Sequence, residues 1–219
     1  MFKVKICGVR TVEEAEAVVA AGGDAVGLNF FESSVRYVTP LIAAAITEAL
    51  PDSVGAVGVF VNATPSYIMD ICHQTGIGFV QMHGDEPAEL LAELSSVPVI
   101  RAFRVTDGES TAVHQYLDKC QSLGCLPAAV LLDAFSPNSY GGTGKRVDIK
   151  TADRVKAAIG DLPLILAGGL NPENVADAIR TVQPQAVDTA SGVESRPGVK
   201  SPALIQQFIA TAREAFKNP

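Results

Sequence analysis

Short apolar runs recur along the chain, and each is followed by glycine or polar residues and then by a segment with helical hydrophobic spacing. The runs are rich in Val, Ile and Ala and too short to be helices, which is typical of strands buried on both faces of a parallel sheet. In chain order they are FKVKIC, AVGLNF, VGAVGVFV, GFVQM, VPVIRAF, PAAVLLD, LPLILAG and QAVDTAS. The pattern predicts eight strands that alternate with helices.

Polar residues followed by proline predict where several of the helices begin. A polar N-cap residue followed by proline at the first helical position is favoured, because an N–H group there has no helical partner to lose. Such pairs are Thr39-Pro40, Thr64-Pro65, Glu86-Pro87, Asn171-Pro172 and Ser201-Pro202. Thr11 and Glu14 have the spacing of a capping box at the start of the first helix, and Gly22-Gly23 predicts its end.

The number of units predicts the fold. Eight strand–helix units in 219 residues average about 27 residues each, close to the roughly 30 of a βαβ unit. Crossover helices impose parallel pairing on the strands they connect. Because eight such units close a (β/α)8 TIM barrel, we expect an α/β fold in which residues 1–219 form a single barrel domain. A doubly wound open sheet of the same elements is the alternative.

Composition and charge restrict the function classes. Hydrophobic residues make up 47% of the chain, and 24 acidic residues against 17 basic ones give a net charge of −7. This acidity argues against nucleic-acid and anionic-membrane partners, since both require a basic surface. The N-terminus carries charge too early for a secretory signal, and no apolar run approaches the roughly 18 residues of a membrane span. We therefore expect a soluble, cytoplasmic protein.

The cysteines and histidines suggest neither disulfides nor a metal site. No C-x-x-C pair occurs, and the three histidines complete no zinc pattern. A chain this long and apolar does not need disulfides to fold, and no dinucleotide-binding fingerprint is present. We expect a protein without metal or cofactor. The cysteines are Cys7, Cys72, Cys120 and Cys125.

Polar residues at predicted strand ends are the candidate site residues, because barrels of this fold carry their chemistry there. Cys7 ends the first strand, Arg36 follows the second, His83 follows the fourth and Asp133 ends the sixth. Each also has an ordinary structural interpretation, since a cysteine can pack as a small apolar residue and the others can be caps or solvated rim groups. Asp133 is the least ordinary, because AAVLLD delivers a carboxylate to the end of a buried strand.

Glycine-rich loops after the last two strands predict a phosphate site. Gly168-Gly169 and Ser191-Gly192 occupy the positions where barrels of this fold hold phosphate, since glycine lets backbone N–H groups approach the oxygens. Cys7 and Asp133 would then flank a bound phosphosugar from strands one and six, as the base and acid of an isomerisation by proton transfer. The loop SPNSYGGTGKR after strand six is long and glycine-rich and would suit a mobile cover, and it lacks the spacing of a nucleotide-binding phosphate loop.

Six motifs, in order along nearly the whole chain, resemble the phosphoribosylanthranilate isomerase family of tryptophan biosynthesis. They are KICGVR, VGVFVN, VQMHGDE, LLDAFSPNSYGGTGK, ILAGGLNPENV and SGVESRPGVKS. The resemblance implies an Amadori rearrangement of N-(5-phosphoribosyl)anthranilate without metal or cofactor. It implies Cys7 as general base, Asp133 as general acid and Arg36 as the contact for the anthranilate carboxylate, with Gly168-Gly169 and Ser191-Gly192 as the phosphate loops. His83 is kept as a secondary substrate contact.

Three positions depart from the pattern of that family. Val35 stands where proline is common, Ala190 where serine is common and Ile149 where tryptophan is common. We expect these changes to affect affinity and not the type of reaction, since none replaces the acid or the base.

Other functions stay open at this point. The related histidine-pathway isomerase would be expected to have a carboxylate in place of Cys7, and a pentulose-phosphate epimerase would need metal-binding residues at several strand ends. A binding-only barrel for a phosphorylated ligand is the alternative from another class. We expect a monomer, with a homodimer as the alternative.

Overall fold

The structure is a computed structural model that describes residues 2–104, 110–133 and 149–218. Within these ranges strand and helix alternate along the chain, as the apolar pattern predicts. The glycine-rich loop that was predicted to cover the site, residues 136–146, lies outside the described residues.

Eight parallel strands close into a barrel in sequence order. The first strand pairs with the second and also with the eighth, so that no strand of this sheet is left at an edge. The predicted TIM barrel is therefore confirmed, and the alternative of an open sheet is wrong. The strands are β1 (Val4–Cys7), β2 (Ala25–Asn29), β3 (Gly55–Phe60), β4 (Phe79–Met82), β5 (Val99–Arg104), β6 (Ala129–Asp133), β7 (Leu164–Ala167) and β8 (Ala186–Thr189).

Helices connect the strands around the outside of the barrel. Those in the described ranges are α1 (Val12–Ala20), α2 (Pro40–Ala49), α3 (Pro65–Thr75), α4 (Ala88–Glu93), α5 (Ser110–Ser122), α6 (Ile149–Ile159), α7 (Val175–Val182) and α8 (Pro202–Lys217). Between β8 and α8 lie a 3-10 turn, Ser191–Val193, and a small antiparallel pair, β9 (Glu194–Arg196) and β10 (Val199–Lys200). No helix in the described part of the chain is long and apolar enough to cross a bilayer.

Three of the predicted helix starts are confirmed by their capping contacts. The side chains of Thr39, Thr64 and Ser201 each accept a hydrogen bond from the backbone N–H three residues further on. At α1 the Thr11 hydroxyl accepts from the N–H of Glu14 at 3.2 Å. The capping box is only half formed, because the Glu14 carboxylate accepts from the N–H of Arg10, at 2.7 Å, instead of returning to Thr11.

Two of the predicted helix starts are wrong. Glu86 does not cap α4, because its carboxylate accepts from the N–H groups of Asn62 and Gly84 and pairs with Arg101 at 2.9 Å. Pro87 takes the cap position and no side chain caps the helix.

Asn171 does not start α7, which begins three residues after Pro172, behind Asn174. The Asn171 side chain accepts from the N–H groups of Glu173 and Asn174, which makes a local turn before the helix. Glu86 and Asn171 both hydrogen-bond to groups other than the predicted helix N-terminus, and these contacts compete with capping.

The apolar core has two layers, and the alternation of side chains along each strand separates them. One cluster contains residues from strands and helices and fills the space between barrel and helices. The other contains residues of the strands and their N-terminal flank, and it fills the barrel interior. Val4 and Ile6 belong to the outer layer, so Lys5 and Cys7 of β1 point into the barrel. The interior cluster is Phe2, Ala25, Val57, Ile100, Ala102, Ala129, Leu131, Ile165, Ala167 and Ala186, with Phe79 packed against it.

Candidate active site

The candidate residues gather at one rim of the barrel, where the strands have their carboxyl ends. Going around the rim from β6, Asp133 ends β6, Gly168-Gly169 follow β7, Ser191-Gly192 follow β8 and Cys7 ends β1. The two glycine-rich loops therefore lie between the strand that carries the thiol and the strand that carries the carboxylate. Arg36 extends this series, since it lies in the loop after β2, the next strand around the barrel.

Cys7 is half-buried at the mouth of the barrel. It pairs in register with Gly27 of β2, where an added Cβ atom would lie 2.8 Å from the Cys7 sulfur. A side chain at position 27 would thus displace the thiol. Gly8, the next residue, leaves room for the Arg36 side chain, because a Cβ atom at position 8 would lie 2.4 Å from it. Its φ of +74° also favours glycine.

Arg36 is held by a carboxylate from the far end of the chain. Its Nε donates to Glu194 Oε1 at 2.6 Å and its Nη2 donates to Glu194 Oε2 at 2.8 Å. The buried Lys200 ammonium donates to Glu194 Oε1 at 3.0 Å and to the carbonyl of Ala190 at 2.9 Å. One carboxylate thus orients two cations, and Nη1 of Arg36 has no partner among the described residues.

The Arg36 loop is tied to the barrel by short polar contacts. The Asn29 side chain accepts from the N–H of Phe31 at 2.8 Å, and the Ser34 hydroxyl accepts from the N–H of Arg36 at 3.1 Å. Val35, one of the positions that depart from the family pattern, is 59% exposed.

Asp133 and His83 form the polar group opposite Cys7. His83 Nε2 lies 3.4 Å from Asp133 Oδ2, and His83 Nδ1 lies 2.9 Å from Gln81 Nε2. Because Gln81 is fully buried inside the barrel, it fixes the imidazole ring from below. His83 therefore lies between the buried Gln81 side chain and the Asp133 carboxylate.

The loops after β7 and β8 are joined by close backbone contacts. Gly168 and Gly169 have positive φ angles of 91° and 66°. A Cβ atom at Gly192 would lie 1.8 Å from the carbonyl oxygen of Leu170, which also accepts a hydrogen bond of 2.6 Å from the Thr189 hydroxyl. Only glycine at position 192 lets the two loops approach this closely.

The pKa of the Cys7 thiol lies above its ordinary value, although three nearby cations act to lower it. Burial raises the pKa of the Cys7 thiol, and the nearby Asp188 carboxylate acts in the same direction. Lys5, Lys200 and Arg36 lower the pKa, with Lys5 having the largest effect of the three. In the adjoining network, desolvation tends to raise the pKa of Glu194, but the hydrogen bonds from Arg36 and Lys200 outweigh it and hold that pKa below its usual range.

Sequence reasoning did not identify four charged residues that this site contains, namely Lys5, Asp188, Glu194 and Lys200. A signal existed for two of them, because VKIC and AVDT place a charge within a strand that is otherwise apolar, and strand alternation aligns Lys5 with Cys7. Glu194 and Lys200 lie in a loop segment, SGVESRPGVKS, where a charged residue is ordinary.

Comparison with known proteins identifies one family. The sequence model described as N-(5'phosphoribosyl)anthranilate (PRA) isomerase matches residues 4–211. The N-(5'-phosphoribosyl)anthranilate isomerase of Geobacter sulfurreducens is 45% identical over 213 residues, which are 97% of this chain and 99% of the relative.

Solved structures agree with this match. The phosphoribosyl anthranilate isomerase of Thermotoga maritima has a TM-score of 0.84 at 38% identity, covering 98% of this chain and 100% of that one. A second structure, of phosphoribosyl anthranilate isomerase in complex with reduced 1-(o-carboxyphenylamino)-1-deoxyribulose 5-phosphate, has a TM-score of 0.78 at 37% identity, covering 98% of this chain and 100% of that one.

Proposed function

We propose that Cys7 and Asp133 are the base and the acid of this chain, which belongs to the N-(5'-phosphoribosyl)anthranilate isomerase family. The reaction is the Amadori rearrangement of N-(5-phosphoribosyl)anthranilate to 1-(2-carboxyphenylamino)-1-deoxyribulose 5-phosphate, an aldose–ketose isomerisation of tryptophan biosynthesis. One observation carries the assignment of roles. The two side chains end β1 and β6 at the same rim, with the glycine-rich loops of β7 and β8 between them.

The first step in this proposal opens the sugar ring. Asp133 gives its proton to the furanose ring oxygen, the bond from that oxygen to C1′ breaks, and the nitrogen lone pair forms a C=N bond to C1′. The protonated Schiff base that results makes the hydrogen on C2′ acidic. His83, 3.4 Å from the Asp133 carboxylate, supports this step by orienting the acid.

The second step moves a proton away from C2′. The Cys7 thiolate takes that proton, and the electron pair of the C–H bond forms the C1′–C2′ double bond of an enolamine, which neutralises the nitrogen. Tautomerisation of the enolamine gives the ketone. Only the thiolate can act as base. Burial and the Asp188 carboxylate raise the pKa of Cys7, and the cations Lys5, Lys200 and Arg36 offset part of that rise, which supports the assignment.

The two anionic ends of the substrate explain the remaining candidates. Gly168, Gly169, Ser191 and Gly192 would hold the phosphate through backbone N–H groups, and the positive φ angles of the first two support such a cradle. Arg36 would meet the anthranilate carboxylate, as a guanidinium suits a planar carboxylate. Its attachment to Glu194 supports this role, because the guanidinium is already oriented before substrate arrives.

An assay with a single substrate tests the function. Purified protein is added to freshly made phosphoribosylanthranilate, and loss of substrate and formation of the ketose product are followed by absorbance and mass spectrometry. We expect turnover by the native chain and a loss of at least about 10²-fold in the Cys7→Ala variant, the usual effect of removing one base. Cys125→Ala is the matched control, since Cys125 is half-buried away from the rim and contacts the carbonyl of Ala88. Near-normal turnover by Cys7→Ala would remove the thiol from the mechanism.

Four further predictions belong to this proposal. Residues 1–219 would be one catalytic domain, the protein would be cytoplasmic, and it would be a monomer that needs no metal or cofactor. Light scattering after size exclusion tests the oligomeric state, and a fully active enzyme after chelator treatment supports the independence from metal.

A further inference from the structure

Lys5 lies in the barrel interior with its side chain completely buried. Lysine is almost never fully buried without a partner, because removing an ammonium group from water costs several kcal/mol. The residue occupies the inward face of β1 two positions before Cys7, among the alanine, isoleucine and leucine side chains that fill the barrel. Its presence in this position requires a reason beyond packing.

Asp188 is the partner of Lys5, and closure of the barrel brings the two together. Residue 5 of β1 pairs in register with residue 188 of β8, and Lys5 Nζ lies 2.9 Å from Asp188 Oδ2. The contact is not an aligned hydrogen bond, and Asp188 Oδ1 also has no hydrogen-bond partner among the described residues. A buried ion pair with unused hydrogen-bonding capacity stabilises a fold poorly, so stability alone does not account for it.

The position of Lys5 relative to Cys7 suggests what the pair does. Residues two apart on a strand project from the same face about 6.6 Å apart, and the lysine side chain is long enough to span that distance. Asp188 contributes most to keeping the pKa of Lys5 above its usual range against the effect of burial, and Cys7 acts in the same direction. The ammonium, 2.9 Å from the Asp188 carboxylate, is therefore also within reach of the thiol.

The charges that face Cys7 balance when the thiol is ionised. Lys5 and Asp188 face it from β1 and β8, and Arg36 and Lys200 face it from the loop after β2 and from β10. Glu194 pairs with both Arg36 and Lys200. In their ordinary charged forms these groups have three positive and two negative charges. One thiolate makes the cluster neutral, whereas the neutral thiol leaves one positive charge among these five groups uncompensated.

We propose that Lys5 is the positioning residue of the base: its buried ammonium, held by Asp188, stabilises the Cys7 thiolate from the interior side of the barrel. This inference rests on the proposed function for its catalytic meaning, and its electrostatic content is independent of any reaction. When Cys7 takes a proton from substrate, the Lys5–Asp188 pair is left as a neutral unit beneath a neutral thiol.

Alkylation of Cys7 measures its ionisation directly, because only the thiolate reacts with iodoacetamide. The rate is followed against pH by peptide mass spectrometry, which separates Cys7 from the other cysteines. We expect Lys5→Met to move the midpoint upward by about one pH unit or more, a tenfold lower rate near neutrality. Asp188→Asn should move it downward, because the carboxylate opposes ionisation. Lys3→Met removes the same charge from an exposed position beside Phe216 and should leave the midpoint unchanged.

The two opposite shifts separate an electrostatic role from a structural one. A general loosening of the barrel would move both variants in the same direction, and this outcome would overturn the proposal, as would an unchanged midpoint in folded Lys5→Met. If Lys5→Met does not fold because Asp188 is left unpaired, the double variant Lys5→Met, Asp188→Asn removes both charges. Its midpoint should lie above that of Asp188→Asn alone, and equality of the two would overturn the proposal.

Turnover distinguishes failure of this inference from failure of the proposed function. In the native chain kcat/KM should rise with pH as Cys7 ionises, and Lys5→Met should shift that rise upward together with the alkylation midpoint. Normal turnover by Cys7→Ala would contradict the role of Cys7 as base while the alkylation result still tests Lys5. If Cys7→Ala is inactive and folded Lys5→Met keeps both native pH profiles, the function stands and the inference about Lys5 is wrong.

Discussion

Glu194 holds the Arg36 guanidinium through two hydrogen bonds, of 2.6 Å and 2.8 Å, across 158 positions of sequence. The pair joins the loop after β2 to the strand β9 that follows β8, on the two sides of β1. The ion pair therefore spans the end of β1, where Cys7 lies. The Arg36 guanidinium is oriented by Glu194 and not by the substrate. A carboxylate that binds this arginine therefore loses less side-chain entropy than one that binds an arginine free to move.

The first prediction concerns binding. Glu194→Gln should raise KM roughly tenfold and lower kcat much less, because Arg36 would lose its charge-assisted anchor, a contact usually worth about 1.5–3 kcal/mol. Glu16→Gln on the exposed face of α1 is the matched control and should change neither constant. Steady-state kinetics measure the effect. An unchanged KM in a folded Glu194→Gln protein would show that the Arg36–Glu194 contact does not contribute to substrate binding.

The second prediction concerns stability against pH. The pKa of Glu194 is lowered in the folded protein, so its ionised form stabilises the fold above the unfolded pKa of about 4.3, and this contribution is lost as pH falls through the folded pKa. The difference in free energy of unfolding between the native chain and Glu194→Gln should be full at pH 6 to 7 and should shrink on acidification below about pH 5. Urea denaturation at a series of pH values measures it, and a constant difference down to pH 3 would contradict the assignment.

The third prediction concerns the acid. Asp133→Asn keeps the shape of the side chain but cannot give up a carboxylic proton, so kcat should fall by at least about 10²-fold. Asp118→Asn, on the exposed face of α5, is the control, since its carboxylate contacts only His114 at 3.5 Å among the described residues. Single-turnover measurements separate the chemical step from binding. A kcat for Asp133→Asn close to that of Asp118→Asn would assign the proton to another group.

The fourth prediction concerns the phosphate loops. Gly192→Ala would place a methyl group 1.8 Å from the Leu170 carbonyl oxygen, so the loops after β7 and β8 must move apart. Overpacking of this kind typically costs about 1–3 kcal/mol, and we expect roughly tenfold weaker competitive inhibition by inorganic phosphate. Gly78→Ala is the control, because a Cβ atom there meets nothing within 4 Å. Unchanged inhibition of a folded Gly192→Ala protein would place the phosphate elsewhere.

Local patterns in the sequence were sufficient for the elements and for the ends of the strands. Alternation and run length identified the strands, and Thr39, Thr64 and Ser201 marked helix starts, because a cap and its helix lie within a few residues of each other. The same strand prediction placed Cys7 and Asp133 at the ends of their strands. A parallel barrel places all such ends at one rim, so the approximate position of the site followed from the sequence as well.

The tertiary structure decided which partner each charged side chain has. Glu86 resembles a cap in the sequence but pairs with Arg101 of β5, and Arg36 resembles a free loop residue but pairs with Glu194. Lys5 meets Asp188 only because the sheet closes, which makes β1 and β8 neighbours. Hydrophobic periodicity is a property of neighbouring positions in the chain, whereas ion pairing depends on distances that exist only after the barrel has closed.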